Sequence, residues 1–250
     1  ELDQHLVMGV NTMECDEWDS TFGHVYKEMI DSGIQSIMAG HIALPEYSRK
    51  LRPGIKDEDI MPATLAPELI TDLLRGKLGF NGLVLTDASH MAGMTAAMPR
   101  SQQVPGAIAA GCDMFLFFND IEEDFGYMMD GYRNGIITEE RLTDALRRIL
   151  GLKASLKLHE KKKKGTLIPE KEGLSVVGCA EHLAMAAEAA KKSITLVKDT
   201  QHNLPVTPKT HKRAYAFVIS SPPISRKNQH DPVKQLVKEE MERFGYETTM

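Results

Sequence analysis

The chain has 250 residues, 42% of them hydrophobic and 26% charged, which supports a sizeable core and excludes wholesale disorder or a fibrous repeat. Its 30 Lys and Arg against 35 Asp and Glu leave a formal net charge of −5, so no general attraction to nucleic acid or to an anionic membrane is expected. Cys15, Cys112 and Cys179 stand far apart and in odd number, which argues against a disulfide framework and matches a reducing, cytoplasmic compartment. No apolar run approaches the roughly 18 residues of a membrane span. The chain opens at Glu1 without an initiator Met, so its first residues leave targeting open.

Residues 16–32 place Trp18, Phe22, Val25, Tyr26, Met29 and Ile30 at helical spacing, and Gly33 predicts the stop. "IQSIMAGHIAL" reads as a strand, and Pro45 to Pro62 as a long loop. "TLAPELITDLLRGKLGF" is the next helix, with Thr64 as its expected N-cap and Leu69, Ile70, Leu73, Leu74 and Leu78 as its apolar stripe. It leads into the strand "GLVLTD", which ends on Asp87. A loop from Ser89 to Pro105, a short helix "GAIAAG" and a strand "MFLFF" ending at Asn119 and Asp120 follow. "ITEERLTDALRRILGLKASLKL" closes the series as an amphipathic helix opened near Thr138.

Strands and helices alternate, with the longer loops after the strands, which is the pattern of a parallel α/β sheet with its site at the strands' C-terminal ends. Residues 1–158 hold roughly three βα repeats, so the expected fold is the C-terminal part of a (β/α)8 TIM-type barrel, which usually takes about 250 residues. Residues 159–178 turn polar and Lys-rich and are the expected linker. Residues 179–250 read as the beginning of a second α/β domain: helix "AEHLAMAAEAAKKS", strands "ITLVKD" and "RAYAFVIS", a helix opened by Asp231 and Pro232, and a final strand "YETTM".

Four places carry candidate chemistry. Asp87 ends a buried strand where such folds keep their sites, although capping of the following loop accounts for an acid there equally well. His41 ends the preceding strand at the same level. A satisfied core histidine is the bland alternative, and two neighbouring strands with polar ends favour the functional one. Asn119 and Asp120 extend that pattern, with loop capping the stronger reading. In "LDQHL", Asp3 can orient the His5 imidazole and raise its basicity, giving a proton donor that works near neutral pH; a surface cluster gives the same triplet. Metal-ligand spacings, phosphate-binding glycine loops and a GxSxG elbow are all absent from the sequence, so no metal or cofactor is expected.

With these residues in view, the chain resembles glycoside hydrolase family 3, and within it the bacterial β-N-acetylglucosaminidases. "KLGFNGLVLTDASHMAGM" is similar to the family segment that carries the catalytic nucleophile, which places Asp87 in that role and Met91 beside the sugar. "PATLAPELITDLLR", "AIAAGCDMFLF", "GIITEERLTDALRRIL" and "AAKKSITLVKD" continue the likeness in order. The N-acetylglucosaminidase branch uses an Asp-His dyad on a mobile loop, and "DQH" occupies its place, so the resemblance implies Asp3 as orienting carboxylate and His5 as acid/base. It also implies that a Lys-His-Phe-Pro-Gly segment and sugar-gripping Asp and Arg residues precede this stretch, leaving these 250 residues without a closed pocket of their own.

The expected activity is therefore retaining hydrolysis of a terminal β-N-acetylglucosaminide through a covalent Asp87 intermediate, with His41 and Met91 as substrate contacts. The alternatives are phosphorolysis, a β-glucosidase specificity, and a non-catalytic carbohydrate-binding fragment. The expected partner is a carbohydrate; aglycone and oligomeric state are not legible.

Overall fold

The computed structural model describes residues 3–219 and 232–250, which form two compact units dividing between Pro169 and Glu170. That division lies inside the polar stretch expected as a linker, part of which is ordered as helix α8 (Leu158–Lys163) and a tight helical turn at Lys171–Val176.

The first unit alternates short strands with helices. Strand β1 (Gly9–Val10) is followed by a helix that begins as α1 (Cys15–Trp18), widens through Asp19–Gly23 and ends as α2 (His24–Asp31). Gly33 stops it with φ +86°, a conformation that costs a glycine little. Strands β2 (Ser36–Ala39) and β3 (Ile42–Ala43) lead to α3 (Pro45–Leu51), then to a wide-wound helix over Glu68–Lys77 and to β4 (Leu83–Thr86). Helices α4 (Ala92–Thr95), α5 (Arg100–Ala110), α6 (Ile121–Arg133) and α7 (Glu139–Ser155) follow.

The strand pairs are parallel, as connections through helices require. In β2 and β4, Ser36 lies opposite Leu83 and Ala39 opposite Thr86; in β1 and β3, Gly9 lies opposite Ile42. Alternation along β2 buries Ile37 and Ala39 while Met38 stays exposed. The buried side packs against Leu69, Ile70, Leu73 and Leu74, the stripe that the sequence predicts, with Trp18 and Tyr47 completing the cluster edge to face at 5.2 Å. Each such side chain contributes about 1.5–3 kcal/mol on leaving water.

A buried charge cluster fixes the start of β4. The Asp113 carboxylate accepts the Val84 N–H at 2.9 Å and the Arg75 guanidinium at 2.8 Å, and it also pairs with Arg141. Arg75 donates onward to the carbonyls of Gly82 and Gly111 at 3.0 and 3.1 Å. One carboxylate thus ties the incoming ends of the strand and its neighbour to two helices.

Several elements differ from expectation. Thr64 does not cap the Glu68–Lys77 helix, whose N-cap is Pro67 without a side-chain bond; its hydroxyl is engaged by His41 instead. The expected loop before "GAIAAG" is mostly helix, because Pro105 is accommodated inside α5 by packing on Gly131 of α6. Residues 114–118 form only one bridge, Met114 to Leu85, since the Thr86 hydroxyl takes the Leu116 N–H at 2.9 Å where a strand partner's carbonyl would stand. Asp120 caps α6, accepting the N–H groups of Glu122 and Glu123.

The second unit holds α9 (Ala180–Ser193), α10 (Pro232–Arg243) and a parallel pair of β5 (Arg213–Tyr215) and β6 (Glu247–Thr249), with Arg213 opposite Glu247. "ITLVKD" is not a strand: Ile194, Leu196 and Val197 are exposed, and among the described residues no strand lies beside them. Ser220 of "RAYAFVIS" and Asp231 lie outside the described residues.

Candidate active site

Asp87 follows β4 directly, and its N–H donates to the Ala39 carbonyl at 2.9 Å, continuing the β2–β4 ladder past its last paired residue. The carboxylate therefore stands at the C-terminal edge of a parallel sheet. Its Oδ1 accepts the Ala88 N–H at 2.7 Å, and its Oδ2 accepts the Gln4 amide at 3.3 Å.

Asp3 and His5 flank that same Gln4. Asp3 Oδ1 accepts both the His5 main-chain N–H, at 2.9 Å, and the ring Nδ1–H, at 2.7 Å. These bonds, the main-chain one first, hold the Asp3 carboxyl below the usual carboxylate range. With Nδ1 committed to the carboxylate, Nε2 is the ring atom left to exchange a proton. Both side chains face solvent, His5 at 68% and Asp3 at 59% exposure. Through Gln4, the structure brings the "DQH" segment onto an acid 83 positions away in the chain.

His41 stands just past the end of β2, beside the turn that bears Asp87, as the sequence suggests. It is fully buried, and both ring nitrogens are engaged by partners within the chain. Nε2 lies 3.0 Å from the Ala88 carbonyl, an obligate acceptor, and therefore carries the proton; Nδ1 then accepts the Thr64 hydroxyl at 2.8 Å. Burial pulls its pKa below the ordinary 6.5, outweighing the Ala88 carbonyl and the nearby Asp87, and this matches the neutral tautomer that the bonds require. His41 fixes the residue after Asp87. The Met91 side chain is also buried, and its carbonyl accepts the N–H groups of Met94 and Thr95 in α4.

Asn119 and Asp120 are not part of this group. The Asn119 N–H donates to Asp124 at 2.8 Å, and Asp124 forms a two-toothed pair with Arg100 at 2.7 and 2.5 Å. Burial raises the Asp124 pKa, but Arg100 and that N–H outweigh it and hold the carboxyl below its usual range. Arg100 also donates to Ser89 Oγ at 3.2 Å, bracing the loop that follows Asp87. Cys112 is wholly buried and its thiol is pushed up to about 12, which removes it as a nucleophile. Among the described residues no cluster of His, Cys, Asp and Glu could hold a metal ion, and no helix is long and apolar enough to cross a membrane.

Gln4 and Ala88 are what sequence reasoning passes over, and Thr64 is what it assigns to a cap. Gln4 is the spacer of a triplet read for its ends, and the other two act through contacts between segments far apart in the chain.

Residues 1–152 match the glycosyl hydrolase family 3 N-terminal domain. The chain belongs to glycosyl hydrolase family 3. Its first unit accordingly has the family's TIM-barrel-type α/β fold, to which the parallel strands and intervening helices conform. Among family 3 relatives, a β-N-acetylglucosaminidase/β-glucosidase of Cellulomonas fimi is 49% identical over 239 residues, covering 95% of this chain and 42% of that protein. The solved β-glucoside phosphorylase BglX is 38% identical with a TM-score of 0.83, over 99% of this chain and 44% of that one. A family 3 β-N-acetylglucosaminidase from Paenibacillus sp. str. FPU-7, 23% identical with a TM-score of 0.66 over 86% of this chain and 38% of that one, shares the fold. The chain thus spans less than half the length of these relatives.

Proposed function

We propose that this chain carries the nucleophile and the acid/base of a retaining family 3 glycosidase that removes terminal β-N-acetylglucosamine. The observation that carries the reading is the hydrogen-bonded Asp3–His5 pair held next to Asp87 by Gln4. Neither part is decisive alone; together they supply the two groups that double displacement needs, a carboxylate nucleophile and a proton carrier.

In the first step an Asp87 oxygen bonds to the anomeric carbon as the glycosidic C–O bond breaks, and His5 Nε2 gives its proton to the departing oxygen. Asp3 stabilises the imidazolium before transfer and fixes its ring. In the second step water attacks the anomeric carbon, the glycosyl–aspartyl bond breaks, and His5 recovers a proton from that water. The sugar assignment is supported by the Asp-x-His pair and by the Cellulomonas relative, whose name gives β-N-acetylglucosaminidase beside β-glucosidase.

A second reading concerns the acceptor. BglX is a β-glucoside phosphorylase and is 38% identical to this chain. A neutral imidazole as base repels an anionic acceptor less than a carboxylate would, so phosphate is admissible where water attacks.

The test uses a protein that carries these 250 residues within a chain of the relatives' length. Asp87→Asn is expected to abolish release of nitrophenol from the β-N-acetylglucosaminide and to prevent trapping by a 2-fluoro sugar; retained turnover overturns the reading. Product analysis in phosphate buffer separates free sugar from sugar 1-phosphate. A folded wild-type protein that binds the sugar but converts the nitrophenyl glycoside neither to free sugar nor to sugar 1-phosphate supports the carbohydrate-binding alternative.

A further inference from the structure

Gln4 makes more contacts than a spacer requires. Its side-chain Oε1 accepts the His41 main-chain N–H at 2.7 Å. Since that partner can only donate, the amide orientation is fixed, and Nε2 is directed at the Asp87 carboxylate, which can only accept. Its main-chain carbonyl accepts the Gly93 N–H at 2.9 Å, and the His5 carbonyl accepts the Ala92 N–H at 3.3 Å. The segment itself is a tight turn, closed by Leu6 and Val7 N–H groups on the Asp3 carbonyl at 3.0 and 3.1 Å. While Asp3 and His5 project to solvent, Gln4 between them reaches inward to the turn that bears Asp87.

Room for this contact is built into the facing residues. A Cβ on Gly93 would stand 2.8 Å from both the His41 Cβ and carbonyl oxygen, and 3.1 Å from the Gln4 carbonyl oxygen; one on Gly40 would stand 3.4 Å from Gln4 Oε1. A side chain at Gly93 would therefore crowd His41 and the Gln4 carbonyl apart, whereas the Gly40 position only brings Gln4 into van der Waals contact.

We propose that Gln4 is a positioning residue that latches the Asp3–His5 segment to the Asp87 turn, so that proton donor and nucleophile are held as one unit. This rests on the functional reading above. The latch acts on the acid/base segment: with it, side chain and main chain both fasten the segment to the Asp87 turn; without it, the main-chain bonds from Ala92 and Gly93 remain. Its Nε2 also orients Asp87 Oδ2, the oxygen without a main-chain partner in the Asp87 turn.

The experiment compares wild type, Gln4→Ala, His5→Ala and the double variant in a protein of the relatives' length, on aryl β-glycosides whose leaving phenols range from acidic to weakly acidic. Gln4→Ala is expected to lose about 10-fold in kcat/KM on the poorest leaving group, the worth of one to two hydrogen bonds. It should lose little on the dinitrophenyl glycoside, whose departure needs no proton. In the double variant Gln4→Ala should add nothing to His5→Ala on the poor leaving group, because both remove the same proton delivery. A loss equal across all leaving groups, or additive with His5→Ala, overturns the proposal.

Hydrogen exchange tests the latch without turnover. Gln4→Ala should speed exchange of the His41 and Gly93 amides by more than that of amides elsewhere in the unit, and unchanged exchange overturns the latch. A wild-type protein inactive on every glycoside overturns the functional reading and the catalytic part of the latch, while exchange still reports on the docking itself.

Discussion

Replacing His41 with Leu removes two ring hydrogen bonds while keeping a side chain of similar size in a fully buried site. The Thr64 hydroxyl is left buried without its acceptor. The Ala88 carbonyl loses one donor and retains the Met91 N–H at 3.1 Å. An orphaned buried hydroxyl costs about 1–3 kcal/mol and a lost hydrogen bond about 1 kcal/mol, giving an expected loss of about 2–4 kcal/mol at neutral pH. In a unit of this size each kcal/mol moves the midpoint by roughly 2–4 °C. Urea denaturation followed by tryptophan fluorescence reports on the right region, because the single Trp18 lies in the core cluster that includes strand β2. The pH dependence supplies the sharper test. The folded His41 pKa lies below its ordinary 6.5, so the unfolded chain binds the extra proton first, and wild-type stability is lost as pH falls from about 6.5 toward the folded value. Leu has no such proton, so the gap between wild type and variant should narrow on acidification. A loss under about 1 kcal/mol, or a gap independent of pH, refutes the neutral, doubly bonded His41.

Asp113→Asn should cost about 3–5 kcal/mol in urea, because the nearly buried Arg75 then loses its carboxylate partner and Arg141 keeps only Asp144. Gly131→Ala should lower stability by about 1–3 kcal/mol despite the better helix propensity of Ala, since its Cβ would stand 2.2 Å from the Pro105 Cβ; thermal melting decides the sign. Asp120→Ala should cost about 1 kcal/mol by freeing two N–H groups at the start of α6, with exchange of the Glu122 and Glu123 amides accelerated.

The sequence by itself determined the parallel α/β class, the apolar stripe over Leu69 to Leu74, the stop at Gly33 and the place of Asp87 at a strand's end, since each is a local matter of period, cap or chain direction. Helix and strand periods are properties of neighbouring residues, so they survive without any partner being known. It also singled out Asp3 and His5, whose bond joins residues two apart. Only the tertiary structure decided what lies between those groups and Asp87. Gln4 touches residues 37 and 83 positions away, and His41 touches ones 23 and 47 away. Polar side chains of this kind acquire their role from whichever donor or acceptor burial leaves unpaired, and that is fixed by packing between distant segments. The same physics took Thr64 from the cap its position suggests and gave it to His41, and it let Pro105 stay inside a helix against Gly131.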